Sequence, residues 1–202
     1  MNRLSILVGL LVCAITNVVA QTPYVDGAHI TADSITYEVS VWHDFYFKLI
    51  NIENKLYNQD LKDLNGQPVS PFEYAGGAMD MISFKRACTE TFTPEELYDL
   101  KEKRTLMRLY LTKNNQGKLL EVVFQVYHYQ NPTIMNLPPE KFALFEKNLK
   151  EHLRWTTITE DEKNLQFMHE TLRVPFDALA PKMLIDKNPD AEMLPDSLQA
   201  HE

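Results

Sequence analysis

The sequence predicts an α+β fold, mainly antiparallel sheet with one long and one short helix. Three observations predict it. Apolar and polar residues alternate with a period of two in several separate runs, the mark of strands with one buried face. Only two runs repeat at the helical period. Tight-turn residues stand between the alternating runs, which favours hairpins over crossovers.

Taken in order, Gln21 to Ala32 is expected to be a loose start. Ile35, Tyr37, Val39 and Val41 then alternate with Thr36, Glu38 and Ser40, and Phe45, Phe47 and Leu49 alternate with Tyr46 and Lys48. Leu56-Tyr57 suits a further short strand. Asn65-Gly66 tolerates the positive φ of a tight turn. Tyr74 to Ala78 is expected to be a glycine-containing loop, and Met79 to Ala87 a strand on the strength of Ile82 and Phe84. Thr93-Pro94-Glu95-Glu96 predicts the short helix, because Thr93 can cap, Pro94 suits the first turn and Glu96 can reach back to the cap amide. A hairpin follows, with Met107, Leu109 and Leu111 in one arm and Leu120, Val122, Phe124 and Val126 in the other. Gly117 supplies the left-handed position between them. Pro138-Pro139 opens the long helix, where Phe142, Phe145, Leu149 and Leu153 share one face. Trp155 to Ile158 and Gln166 to Phe176 are expected to pair around an acidic turn, Glu160-Asp161-Glu162.

The ends carry their own expectations. Met1 to Ala20 has a basic start at Arg3, an apolar run from Leu4 to Ile15 and a Val18-x-Ala20 cleavage site, so it predicts a removable signal peptide cut between Ala20 and Gln21. A retained anchor is the alternative, since Leu4 to Ala20 lies at the lower edge of a span. Lipidation is rejected because Cys13 follows Val12 in mid-run. The tail from Asp177 to Glu202 holds three prolines and six acids against two lysines. It is expected to be flexible and dispensable for folding. The expected organisation is therefore 1–20 signal peptide, 21–92 β-rich region, 93–176 β-β-α-β region and 177–202 acidic tail, with no membrane span after cleavage.

Cleavage removes Arg3 and no acid, moving the formal net charge from −8 to −9. Such a surface argues against nucleic acid or anionic membrane as partner, because both attract a positive field. The mature chain keeps Cys88 alone, so no intramolecular disulfide can form and packing must hold the domain. The absence of disulfides and of an Asn-x-Ser/Thr sequon leans toward a bacterial envelope, periplasmic or extracellular; Asn131-Pro132-Thr133 is barred by its proline.

Catalytic and metal-binding patterns are absent from the sequence. There is no His-Glu-x-x-His, no close Cys/His cluster, no nucleophile elbow and no phosphate-binding glycine loop. No catalytic, cofactor or metal residue is assigned, and no cofactor is expected. His128 reads as a strand-end residue, His43-Asp44 as neighbours on opposite strand faces, and His152 with His169 as a pair that only folding could join. Gly76-Gly77 lacks the frame of a phosphate cradle. Glu95-Glu96 belongs to a helix start. Two alternatives stay open: a cysteine enzyme that uses the free thiol of Cys88, and a small-ligand carrier built on Tyr37, Trp42, Phe45 and Phe47.

Three pieces carry a family likeness. Lys113-Asn114-Asn115-Gln116-Gly117-Lys118-Leu119-Leu120 forms a hairpin tip, Phe142 to Trp155 a helix, and Leu172-Arg173-Val174-Pro175-Phe176 a closing strand. In that order residues 106–176 resemble the TonB C-terminal domain and its relatives in bacterial envelopes. The Tyr-Pro found before the first strand of such domains, the proline-rich linker and the permanent anchor are missing, so the resemblance implies the fold and not energy coupling. Residues 35–92 have no counterpart in it. As a whole the chain resembles secreted envelope proteins of unknown function. The resemblance implies binding of an extended protein or peptide segment. The expected function is an exported, non-catalytic envelope protein with a protein or peptide partner.

Overall fold

Alternation becomes sheet over most of the predicted strands. The structure, a computed structural model, describes residues 22–43, 45–70, 77–129 and 132–180. The strands are β1 (His29–Ala32), β2 (Ile35–Trp42), β3 (Tyr46–Asn51), β4 (Leu106–Asn114), β5 (Leu119–Tyr127) and β6 (Phe167–Arg173). They form one sheet in the order β1-β2-β3-β5-β4-β6, antiparallel throughout. The β3–β5 pairing, from Tyr46↔Tyr127 to Ile50↔Val123, joins the N-terminal strands to the C-terminal hairpin in a single sheet.

Among the described residues the helices are α1 (Met81–Thr91), α2 (Pro94–Glu102), α3 (Pro139–His152), α4 (Glu160–Lys163) and α5 (Phe176–Leu179), with a 3-10 turn at Pro132–Asn136. The α+β class and the dominance of antiparallel sheet are as the sequence predicts. α3 lays Phe142, Phe145 and Leu149, all essentially buried, on the sheet. Phe142 meets the rings of Phe47 and Phe124 edge-on, at 6.3 and 5.4 Å between centroids. Each such side chain contributes about 1.5–3 kcal/mol of burial. α1 packs beside α3, where the buried Asn148 amide donates to Thr91 Oγ1 at 3.0 Å. Below them, Glu146 is fully buried on α3. It accepts from Tyr37 Oη at 2.8 Å, Asn51 Nδ2 at 2.9 Å and Lys150 Nζ at 2.7 Å, tying α3 to β2 and β3.

Several local expectations are corrected. Residues 79–87 are not a strand. Asp80 caps α1 by accepting from Ile82 N–H, and the buried positions Phe84, Ala87, Cys88 and Thr91 follow helical spacing while Ile82 stands 82% exposed. Leu56-Tyr57 forms no strand. Trp155 makes only an isolated bridge with Met79, so the partner of β6 is β4. The acidic turn is α4, closed by a second capping box between Thr159 and Glu162. The loose start contains β1 and the buried Tyr24, whose ring stacks on Phe47 at 4.4 Å. The tail expected to be free from Asp177 begins inside α5, where Phe176 and Leu179 are buried in the core. Ala20, Gln21 and residues 181–202 lie outside the described residues.

Candidate functional site

With α1 and α3 on one face, alternation sends every second side chain of the sheet to the other. Ser40, Lys48, Gln125, Arg108 and Arg173 are successive register partners on β2, β3, β5, β4 and β6. They form one row across that face. The neighbouring row is aromatic: Trp42 pairs with Tyr46, and Tyr46 with Tyr127. Residues 52–70 cover the far half of this face. There Lys55 and Leu56 N–H groups donate to the Glu121 carboxylate, and Asn54 Nδ2 donates to Val122 C=O. The half holding the two rows is open.

This half carries exposed and half-buried aromatic rings, with cations beside them and Gln125 and Tyr127 buried in its middle. Trp42 is 54% exposed and stacks on Tyr46 at 5.4 Å. At the rim Phe45 (43% exposed) stacks on Tyr129 (45%) at 4.3 Å. Lys48 Nζ lies 5.2 Å from the Tyr110 ring centre, and the Arg108 guanidinium 5.5 Å from that of Tyr127. Tyr110 Oη donates to Gln125 Oε1 at 2.6 Å, and Gln125 Nε2 donates to Tyr127 Oη. Burial and the nearby Tyr127 hold the Tyr110 hydroxyl above its usual range, so it stays a neutral donor at physiological pH. Tyr, Trp and Arg are the residues that concentrate binding energy at protein interfaces. This arrangement can seat a partner through ring contacts and charge-assisted hydrogen bonds.

The residues singled out in the sequence separate. Of the carrier set, Tyr37 and Phe47 are core, whereas Trp42 and Phe45 belong to the open face. Cys88 is fully buried on α1, and burial pushes its thiol up to about 12, far from a thiolate nucleophile. His152 Nε2 sits 2.6 Å from Glu90, while His169 bridges Thr112 Oγ1 and Gln59 C=O; the two share no partner. His43 packs against Trp42, Glu96 caps α2, and Asp44 and Gly76 fall outside the described residues. Gly77 N–H donates to Glu162 at 2.8 Å, and a Cβ there would collide with the Thr157 carbonyl oxygen. That close approach is structural and forms no phosphate cradle. Among the described residues no cluster of His, Cys, Asp or Glu could hold a metal, and no helix is long and apolar enough to cross a membrane.

Sequence reasoning missed Tyr46, Lys48, Arg108, Tyr110, Tyr127 and Arg173 as a group. Their strand phase was readable, since each occupies the polar phase of its run. The register that aligns them was not.

No family model matches the chain, and no curated protein matches it. In fold it is similar to a solved DUF5043 family protein from Bacteroides uniformis, with a TM-score of 0.60 and 18% identity, over 76% of this chain and 93% of that one. At that identity the likeness is one of fold alone.

Proposed function

We propose that the protein is an exported, non-catalytic envelope protein that binds a protein or peptide partner on the helix-free face of its sheet. Export follows from the signal-peptide pattern of residues 1–20. One observation carries the binding reading: Trp42, Phe45 and Tyr129 stand exposed beside the half-buried Tyr46, Lys48 and the exposed Arg108 instead of entering the core. Leaving large aromatic side chains in water forgoes burial energy, and an interface recovers it. The buried, protonated Cys88 lends nothing to the cysteine-enzyme alternative.

Site-specific photo-cross-linking in the producing cell tests this. A benzophenone side chain replacing Trp42 or Tyr46 is expected to give a discrete adduct. The same probe at Arg86, exposed on α1 on the opposite side, is expected to give none. Equal labelling at the two faces, or none at Trp42 and Tyr46, would refute the reading.

A further inference from the structure

The cations at the β4–β6 corner stand where local structure disfavours them. α2 ends in a Schellman motif: Arg104 N–H donates to Lys101 C=O at 2.8 Å, and Thr105 N–H to Leu100 C=O at 2.9 Å. The residue between cap and strand takes positive φ and is usually glycine. Here it is Arg104, at φ 50°, a conformation in which its Cβ crowds the backbone. Two strands away from β3, Arg108 stands directly opposite Arg173 on the same face. Like charges directly opposite destabilise a sheet.

Arg104 and Arg173 share an opening with Lys101. Lys101, Arg104 and Arg173 line a cavity of about 390 Å³ between the end of α2, the start of β4 and the end of β6; Thr105 and Phe176 form part of its wall, and Asp177 is its one carboxylate. None of the ion pairs among the described residues engages Lys48, Lys101, Arg104, Arg108 or Arg173. A chain of net charge −8 thus sets three cations around one cavity that holds a single carboxylate, and continues them along the sheet row through Arg108 to Lys48.

We infer that this corner receives an acidic peptide segment of the partner. Carboxylates of the segment pair with Arg108, Arg173 and Arg104, and an aromatic or apolar side chain of the same segment packs on Trp42 and Tyr46. The inference rests on the protein-binding reading above. Guanidinium groups suit carboxylates because they offer forked donors and are weakly hydrated. Extent favours a segment over a free anion. Lys48 to Arg173 spans three inter-strand spacings, about 14 Å, and the aromatic row runs alongside. A small anion would occupy only the cavity.

Fluorescence anisotropy with labelled hexaglutamate and (Glu-Tyr)3, against labelled hexalysine, on the mature chain 21–202 provides the test. Both acidic peptides are expected to bind, (Glu-Tyr)3 more tightly, with affinity falling roughly tenfold between low and physiological salt. R108E and R173E are each expected to weaken binding by about tenfold. Their melting temperatures should not fall, because each converts a like-charge pair into an opposite one. Three outcomes overturn the inference: no binding of either acidic peptide, binding unchanged in both charge-reversal variants, or complete displacement by millimolar inorganic phosphate, which would mark a free-anion site. The cross-link at Trp42, repeated in the R108E/R173E background, separates the two levels. If it persists undiminished, a partner binds without acidic recognition; if it is missing from the wild type as well, the binding reading falls too.

Discussion

Glu162 shows how much one residue can tie together. Its carboxylate is fully buried yet accepts from Gly77 N–H at 2.8 Å and Thr159 N–H at 2.9 Å, and lies 3.0 Å from the buried Lys113 ammonium. Lys113 in turn pairs with Glu170 and sits 4.5 Å from the Trp155 ring centre, and Trp155 Nε1 donates to Glu170 at 2.9 Å. Burial alone would raise the Glu162 pKa, but the two amides and the ammonium together outweigh it and hold the group below its ordinary value. A carboxyl with a depressed folded-state pKa stabilises the fold above its unfolded pKa, about 4.3. That contribution is lost as pH falls through the folded value. Glu162→Gln is therefore expected to lose about 2 kcal/mol at neutral pH. The deficit against wild type should shrink progressively below about pH 4, as followed by thermal melts from pH 7 to pH 3. A deficit independent of pH would show that the charge is irrelevant. Nothing in the sequence around Lys113 marked it as buried, because its partners come from residues 49 and 57 positions further on.

At the scale of the element, what was legible was what is local. The Thr93–Glu96 capping box forms as its spacing predicts, with Thr93 N–H donating to Glu96 at 2.8 Å and Glu96 N–H to Thr93 Oγ1 at 3.2 Å. Thr159–Glu162 carries the same signature, so the helix start in place of the expected turn is also legible there. The strand expectation at 79–87 fails because Ile82 and Phe84 imitate strand alternation, while the buried face of α1 beyond Phe84 is made of small residues, Ala87, Cys88 and Thr91, that leave a weak periodic signal. β1 is four residues long and exists through its pairing with β2, which no local pattern encodes. The other end of α2 supports a prediction. Arg104→Gly relieves the left-handed Cβ and should raise stability by about 1 kcal/mol in chemical denaturation. No gain would mean that the motif tolerates arginine freely. α5 supports another. Ending the chain at Pro175 removes two buried side chains, Phe176 and Leu179, and should lose about 3–5 kcal/mol. A chain ending at Ala180 should keep them. Equal melting temperatures for the two would show that α5 adds nothing.

At the scale of the molecule, the fold class could be read from the sequence because period-two and period-3.6 runs are nearly all in place. The face proposed to bind a partner could not. Lys48, Arg108 and Arg173 are ordinary solvent-phase residues until the register of four strands lays them side by side. Nothing local marks Trp42 and Phe45, of the carrier set, as exposed, because a large aromatic residue is more often inside than out. Net charge misled in the same way: a value of −8 for the whole chain hides a cationic corner. Recognition at such a site depends on the local field more than on the total.

The pairing of β3 with β5 also governs how the chain can reach its fold. β4 and β5 are joined by a short turn and can zip early, in microseconds for a hairpin of ordinary kind. β5 is then half-finished, with one side paired to β4 and the other bare until β3 arrives from about 70 residues upstream. Such long-range closure is slow, and the unpaired edge of an apolar strand is a template for other chains. Val122, Val123, Phe124 and Val126 make that edge sticky. A fragment spanning 93–176 is therefore expected to aggregate rather than fold, and mixing it during refolding with a 21–92 fragment should rescue solubility by supplying β3. Light scattering during refolding measures both. A monomeric, cooperatively melting 93–176 fragment would show that the C-terminal hairpin and its helix need no such closure.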